Sequence, residues 1–209
     1  MRRTRKTTMG DYRRSADVVE RNLATRSLSV RAATIDEEGR SVQAVLATEQ
    51  PVDIFDFGRL SVVDEVLRVG GRQSGPSVTL LETHDRSTLD AVLGSVREIR
   101  REGDVVVGRL HFAADDERAE RAWRKVRDGH ITDVSVGYRV DDAIYVEPGE
   151  SAVVDGKTYR ADKRVLRVTR KWTLREVSVV PIGADQNAKI REAAMLQARK
   201  GGYREDRAM

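Results

Sequence analysis

Between Ile131 and Val140 the chain reads ITDVSVGYRV, and its strict two-residue alternation is the pattern of a β-strand with one apolar and one polar face. Thr132, Val134, Val136, Tyr138 and Val140 point one way, while Asp133, Ser135, Gly137 and Arg139 point the other. Such a strand needs an apolar layer over one face and hydrogen-bonding partners at its edges. Ser135 lies opposite the apolar stripe, where a serine is ordinarily a surface residue.

Other segments supply candidate partners. The run SLSVRAATIDEEGRSVQAVLAT has two β-prone halves around Asp36-Glu37-Glu38-Gly39 and predicts a hairpin. Residues 49–76, with Pro51 and the Gly70-Gly71 and Gly75-Pro76 breaks, predict a long loop with a short helix over Val62 to Val69. SVTLLETH predicts a strand ending at His84, followed by a turn at Asp85-Arg86-Ser87. AVLGSVREIRREGDVVVGRLHFAA predicts two strands joined through Arg101 to Asp104. The one well-marked helix is opened by Asp115 or Asp116 and closed by Gly129. Ala119, Ala122, Trp123 and Val126 fall on one stripe of it. Residues 147–163 predict an inserted loop or hairpin, VLRVTRKW and LREVSVVP two further strands, and Ala188 to Lys200 a terminal helix.

The fold class expected is therefore mainly β with helices, an α+β arrangement, and 209 residues suit one domain with tails. Eight Arg or Lys against three acids place +5 in residues 1–27; the whole chain carries +4, which leaves about −1 for the rest. The expected organisation is a flexible basic arm at 1–27, a folded domain at 28–190, and a C-terminal helix end and charged tail at 191–209. A nearly neutral body with only 5% aromatic residues offers no stacking platform and argues against nucleic acid as partner. The absence of cysteine removes disulfides, thiolate nucleophiles and Cys-based zinc sites, which is compatible with a reducing cytoplasm. No apolar run approaches the ~20 residues that cross a bilayer, so no membrane partner is expected.

The chemistry narrows by exclusion. HExxH and related spacings are missing, so neither metal nor cofactor is expected; GxxxxGK[ST], GxGxxG and the GxSxG elbow are missing too. Of three histidines, His111 shares a strand face with Arg109 and reads as a surface residue, and His130 follows Gly129 at the helix end. His84, at a strand end beside a turn, is where an imidazole can meet groups from other elements.

LLETHD at 80–85, LGSV at 93–96, DGHITDVSVGY at 128–138 and LREVSVVPIGADQNA at 174–188, in this order around one helix, resemble the HK97-type bacteriophage prohead protease family. The similarity runs over about residues 28–190. It implies a fold like herpesvirus assemblin, a β-barrel core with packed helices, and a serine endopeptidase. The resemblance implies Ser135 as nucleophile, His84 as general base and Glu176 as the acid behind it, with Asp85 as runner-up. Simple alternation places Glu176 on one face with Leu174, Ser178 and Val180, where an acid needs a partner. The resemblance further implies action inside the assembling prohead in the host cytoplasm. The substrates would be the scaffold, the scaffolding region of the major capsid protein, and the protease's own ends; a homo-oligomer is compatible with it. The rival reading is a non-catalytic assembly or scaffold protein that keeps the protease fold.

Overall fold

The computed structural model describes residues 35–182 and the backbone of residues 23–29. In chain order these form β1 (Leu23–Ser29), β2 (Ser41–Thr48), β3 (Val52–Asp56), β4 (Ser61–Leu67), β5 (Arg72–Gln73), β6 (Val78–Glu82), β7 (Val92–Glu102) and β8 (Val105–Phe112). Helix α1 (Glu117–Arg127) follows, then β9 (Asp133–Val146), β10 (Ser151–Val154), β11 (Lys157–Arg160) and β12 (Leu166–Val180). Ten strands share one sheet, with the path β1-β9-β12-β6-β7-β8-β2; β10 and β11 form a separate ribbon.

The spine is β12, whose 15 residues extend about 50 Å at the usual rise per residue. Antiparallel β9 follows one edge of it from Val146 to Asp133. Three short parallel strands tile the other edge: β4 against Leu166–Thr169, β5 against Trp172–Thr173, and β6 against Glu176–Val179. Val134, Val136 and Tyr138 of β9 join Trp172, Leu174, Val177 and Val179 of β12 in the main core, and Trp123 and Val126 of α1 close it from outside. The helix starts where Asp116 accepts the Ala119 N–H at 2.7 Å, a cap worth about 1 kcal/mol. At the far end of β12, buried Glu65 accepts from Arg167 Nε at 2.9 Å, from Thr169 Oγ1 at 2.5 Å and from the Tyr138 hydroxyl, fastening β4 to the spine.

Several expectations are corrected. The sheet is open: β1 and β2 come close as it curls but form no ladder among the described residues, so no barrel closes, and α1 is the one α-helix among the described residues. The Asp36–Gly39 turn forms, with Gly39 N–H donating to Asp36 Oδ1 at 2.9 Å. It does not join a hairpin, because β1 pairs with β9 and β2 pairs with β8. β1 also begins at Leu23, before the start expected near Leu28. Residues 52–67 form the β3–β4 hairpin instead of a loop with a helix. The β-branched Val62, Val63 and Val66 suit an extended chain, and β12 supplies β4 with a hydrogen-bonding edge. VLRVTRKW and LREVSVVP are one continuous strand. The helix expected at 188–200 lies outside the described residues, as do the arm before Leu23 and the tail at 191–209.

Candidate active site

The site lies where β9, β12 and the end of β6 meet, on the sheet face turned away from the main core. Ser135 pairs with Ser178 and Gly137 with Glu176 across the β9–β12 ladder. Directly opposed residues share a face and hold their Cβ atoms about 5 Å apart. Ser135, Ser178 and Glu176 are therefore neighbours on one surface, and all three are buried.

Simple alternation misplaces Glu176. The pairing slips by one residue between Leu174 and Glu176, leaving Arg175 as the extra residue of a β-bulge. Before the slip Trp172 and Leu174 face the core; after it Val177 and Val179 do. Glu176 thus leaves Leu174's face and joins Ser178, opposite Gly137.

His84 arrives by a strained turn. Asp85 N–H donates to the Glu82 carbonyl at 2.9 Å, and the two central residues, Thr83 and His84, have φ of +47° and +61°. Both signs are those of a type I′ turn, which glycine and asparagine favour. For a β-branched threonine and a histidine the left-handed region costs roughly 1–2 kcal/mol each. The turn is tied down on both central residues. Thr83 N–H donates to the Val179 carbonyl at 3.0 Å, and His84 N–H to Ser178 Oγ at 3.0 Å.

This places His84 Nδ1 2.8 Å from Glu176 Oε1. Arg86 Nη2 donates to the same oxygen at 2.8 Å, and Ser178 Oγ donates to Oε2 at 2.8 Å. Burial works to raise the Glu176 pKa and is the largest single influence. The hydrogen bonds and charges of His84, Arg86 and Ser178 outweigh it and hold the carboxyl below the ordinary glutamate range. A carboxylate ionised in this way fixes the imidazole with its Nδ1–H toward Glu176 and leaves Nε2 as the basic nitrogen.

Gly137 makes the arrangement fit. A Cβ built at this position would overlap the Glu176 carboxylate and stand 2.6 Å from Arg86 Nη2. Glycine in a strand can mark close approach to another chain; here the approaching groups are a carboxylate and a guanidinium of the same chain.

Asp85, the runner-up acid, is engaged elsewhere: its Oδ1 accepts both the N–H and the hydroxyl of Ser87, at 2.8 and 2.6 Å. Sequence reasoning missed Ser178 and Arg86. Their signals were the Glu-x-Ser spacing at 176–178 and the His-x-Arg spacing at 84–86, each a two-residue step. His111 is only partly exposed, and its Nε2 is buried without a hydrogen-bond partner among the described residues.

Ser135 is 3% exposed. Along the β9 edge the β1 backbone runs antiparallel, with Ser27 paired to Ser135. Among the described residues no group of three or more acids or histidines is placed to hold a metal ion.

The family described as caudovirus prohead serine protease matches residues 62–200. Comparison with curated proteins and with solved structures finds no match.

Proposed function

The chain belongs to the caudovirus prohead serine protease family, and from that membership we propose that it is a capsid maturation endopeptidase with Ser135 as nucleophile, His84 as general base and Glu176 as the orienting acid. Family membership implies serine peptidase activity in general; the assignment of residues is ours. The observation that carries it is the 2.8 Å contact between His84 Nδ1 and Glu176 Oε1, made on the sheet face that bears Ser135 one strand away.

A serine hydroxyl is a weak nucleophile at neutral pH and needs a base at the moment of attack. His84 Nε2 takes the Ser135 proton as Oγ bonds to the scissile carbonyl carbon. The resulting imidazolium is stabilised by the Glu176 carboxylate. The proton then passes to the departing amine as the peptide C–N bond breaks, leaving an acyl-enzyme. Water attacks that ester through the same base, and the new carboxyl terminus leaves. With Ser135 3% exposed, turnover includes a local opening that admits the peptide.

The substrates proposed are the scaffold or the scaffolding region of the major capsid protein, inside the assembling prohead. Self-cleavage in the segments flanking residues 23–182 belongs to the same proposal. No helix among the described residues is long and apolar enough to cross a membrane. The test is co-expression with the coat protein, comparing wild type, Ser135→Ala and His84→Ala by mass spectrometry. Both variants should leave coat protein and protease at full mass, whereas wild type yields shortened chains. Processing that persists in Ser135→Ala refutes the assignment.

A further inference from the structure

Beside Glu176, on the same sheet face, the loop after β6 folds back and leaves a cleft. Its floor is Thr79, Leu81 and Val92, and its rim carries Arg86, Leu89 and Arg175. The single acid lining it, Glu176, is already engaged by His84, Arg86 and Ser178. Arg175 is exposed and makes no ion pair among the described residues, so the cleft holds an uncompensated positive charge. Leu89 is 89% exposed, an uncovered apolar wall next to that charge.

We propose that this cleft is a substrate subsite for an acidic side chain, with Arg175 as its specificity-determining residue. The proposal rests on the protease reading above. A glutamate fits both halves of the lining: its methylenes lie on Leu81, Leu89 and Val92, and its carboxylate meets the Arg175 guanidinium, a planar donor suited to two parallel hydrogen bonds. Inorganic phosphate would leave the apolar floor unused. Arg86 donates through Nη2 to Glu176, which offsets its charge, and adds a second guanidinium to the rim of the cleft.

Placement follows from the sheet. From Ser135 on β9 to the floor on β6 is two strand spacings, about 10 Å, which an extended peptide covers in about three residues. The acid should therefore stand about three positions from the cleaved bond. The bulge that turns Glu176 toward the site also makes Arg175 the extra residue at the cleft.

The test uses peptides spanning the coat-protein cleavage junction, with Glu, Gln or Lys placed in turn at each of the four positions on either side of the bond. Cleavage is measured with the full wild-type chain and Arg175→Glu, and binding by fluorescence anisotropy in the Ser135→Ala chain with and without Arg175→Glu. At one position Glu should be preferred over Gln by about fivefold or more, the weight of a partly solvated charge pair. The preference should lie in KM and in affinity, with kcat little changed, and Arg175→Glu should reverse it in favour of Lys. Equal handling of Glu, Gln and Lys at all eight positions, by cleavage and by anisotropy, overturns the subsite while leaving Ser135-dependent cleavage standing. If cleavage is absent or indifferent to Ser135→Ala, the protease reading fails, and the anisotropy arm still decides the subsite because it needs no turnover.

Discussion

Replacing Glu176 with glutamine keeps the size of the side chain and removes its charge at the point where three donors converge. His84 and Arg86 both donate to Oε1 and Ser178 donates to Oε2, each at 2.8 Å. An amide has one accepting oxygen, so whichever way it turns, at least one donor faces an NH₂ group. A charge-assisted hydrogen bond contributes about 1.5–3 kcal/mol. Losing one from the buried Glu176 side chain should cost about 1.5–3 kcal/mol of stability. The loss of activity should be larger, roughly 10³- to 10⁴-fold in kcat, because the imidazolium is no longer stabilised and its tautomer no longer fixed. The pH dependence separates this account from a general packing defect. The folded-state pKa of Glu176 lies below its ordinary value, so its stabilisation is complete above the ordinary glutamate pKa of about 4.3 and fades as pH falls through the depressed one. Denaturant melts should therefore show a gap between wild type and Glu176→Gln that is constant near neutrality and narrows in acid below about pH 4. Near-full activity of the variant would remove Glu176 from the mechanism. A gap that stays constant on acidification would refute the electrostatic account.

Gly137→Ala places a methyl against the Glu176 carboxylate and Arg86; peptide cleavage should fall by at least about 10²-fold as the carboxylate is displaced from His84. Ser178→Ala removes both the acceptor for His84 N–H and a donor to Glu176. It should lower kcat by about 10- to 100-fold with little change in KM, while a fluorophosphonate probe still labels Ser135 in that variant and not in Ser135→Ala. Burial first, and then the Arg97 and Arg109 charges, hold the His111 imidazole below its ordinary value of 6.5. Below that pH the unfolded chain takes up a proton the folded chain resists, so stability falls with acidification. His111→Gln should flatten the slope between about pH 7 and pH 5 in urea melts, and an unchanged slope would show that His111 does not titrate as described.

Local patterns with one dominant cause were legible from the chain alone. The alternation from Asp133 to Val140 appears in β9, with Val134, Val136 and Tyr138 fully buried in the core. The stripe and Asp116 cap of α1 likewise follow from rules that act within a few residues. What escaped depended on partners distant in sequence. β1 had no local reason to choose β9 over β2, and β4 is a strand because β12 offers it an edge. Glu176 was assigned the right neighbours Ser178 and Val180 and the wrong one, Leu174, because alternation assumes an unbroken ladder. Arg86 and Ser178 escaped because their roles exist only once the turn at Thr83–His84 folds back over β12.

The slip at Arg175 is a held beat in a two-beat rhythm, for the extra residue is absorbed at one place and the pairs on either side of it, Leu174 with Tyr138 and Glu176 with Gly137, stay consecutive on β9. Deleting this one residue would leave Glu176 opposite Gly137 and Val177 opposite Val136 in an unbroken ladder, and exchanging it for another leaves the same pairs intact. Inheritance is thus free in identity at 175, because the pairing beyond it does not depend on which residue stands there. If the side chain there reads the substrate, a phage lineage can retune what its protease accepts, in step with a changing coat protein, without disturbing the sheet that carries the chemistry.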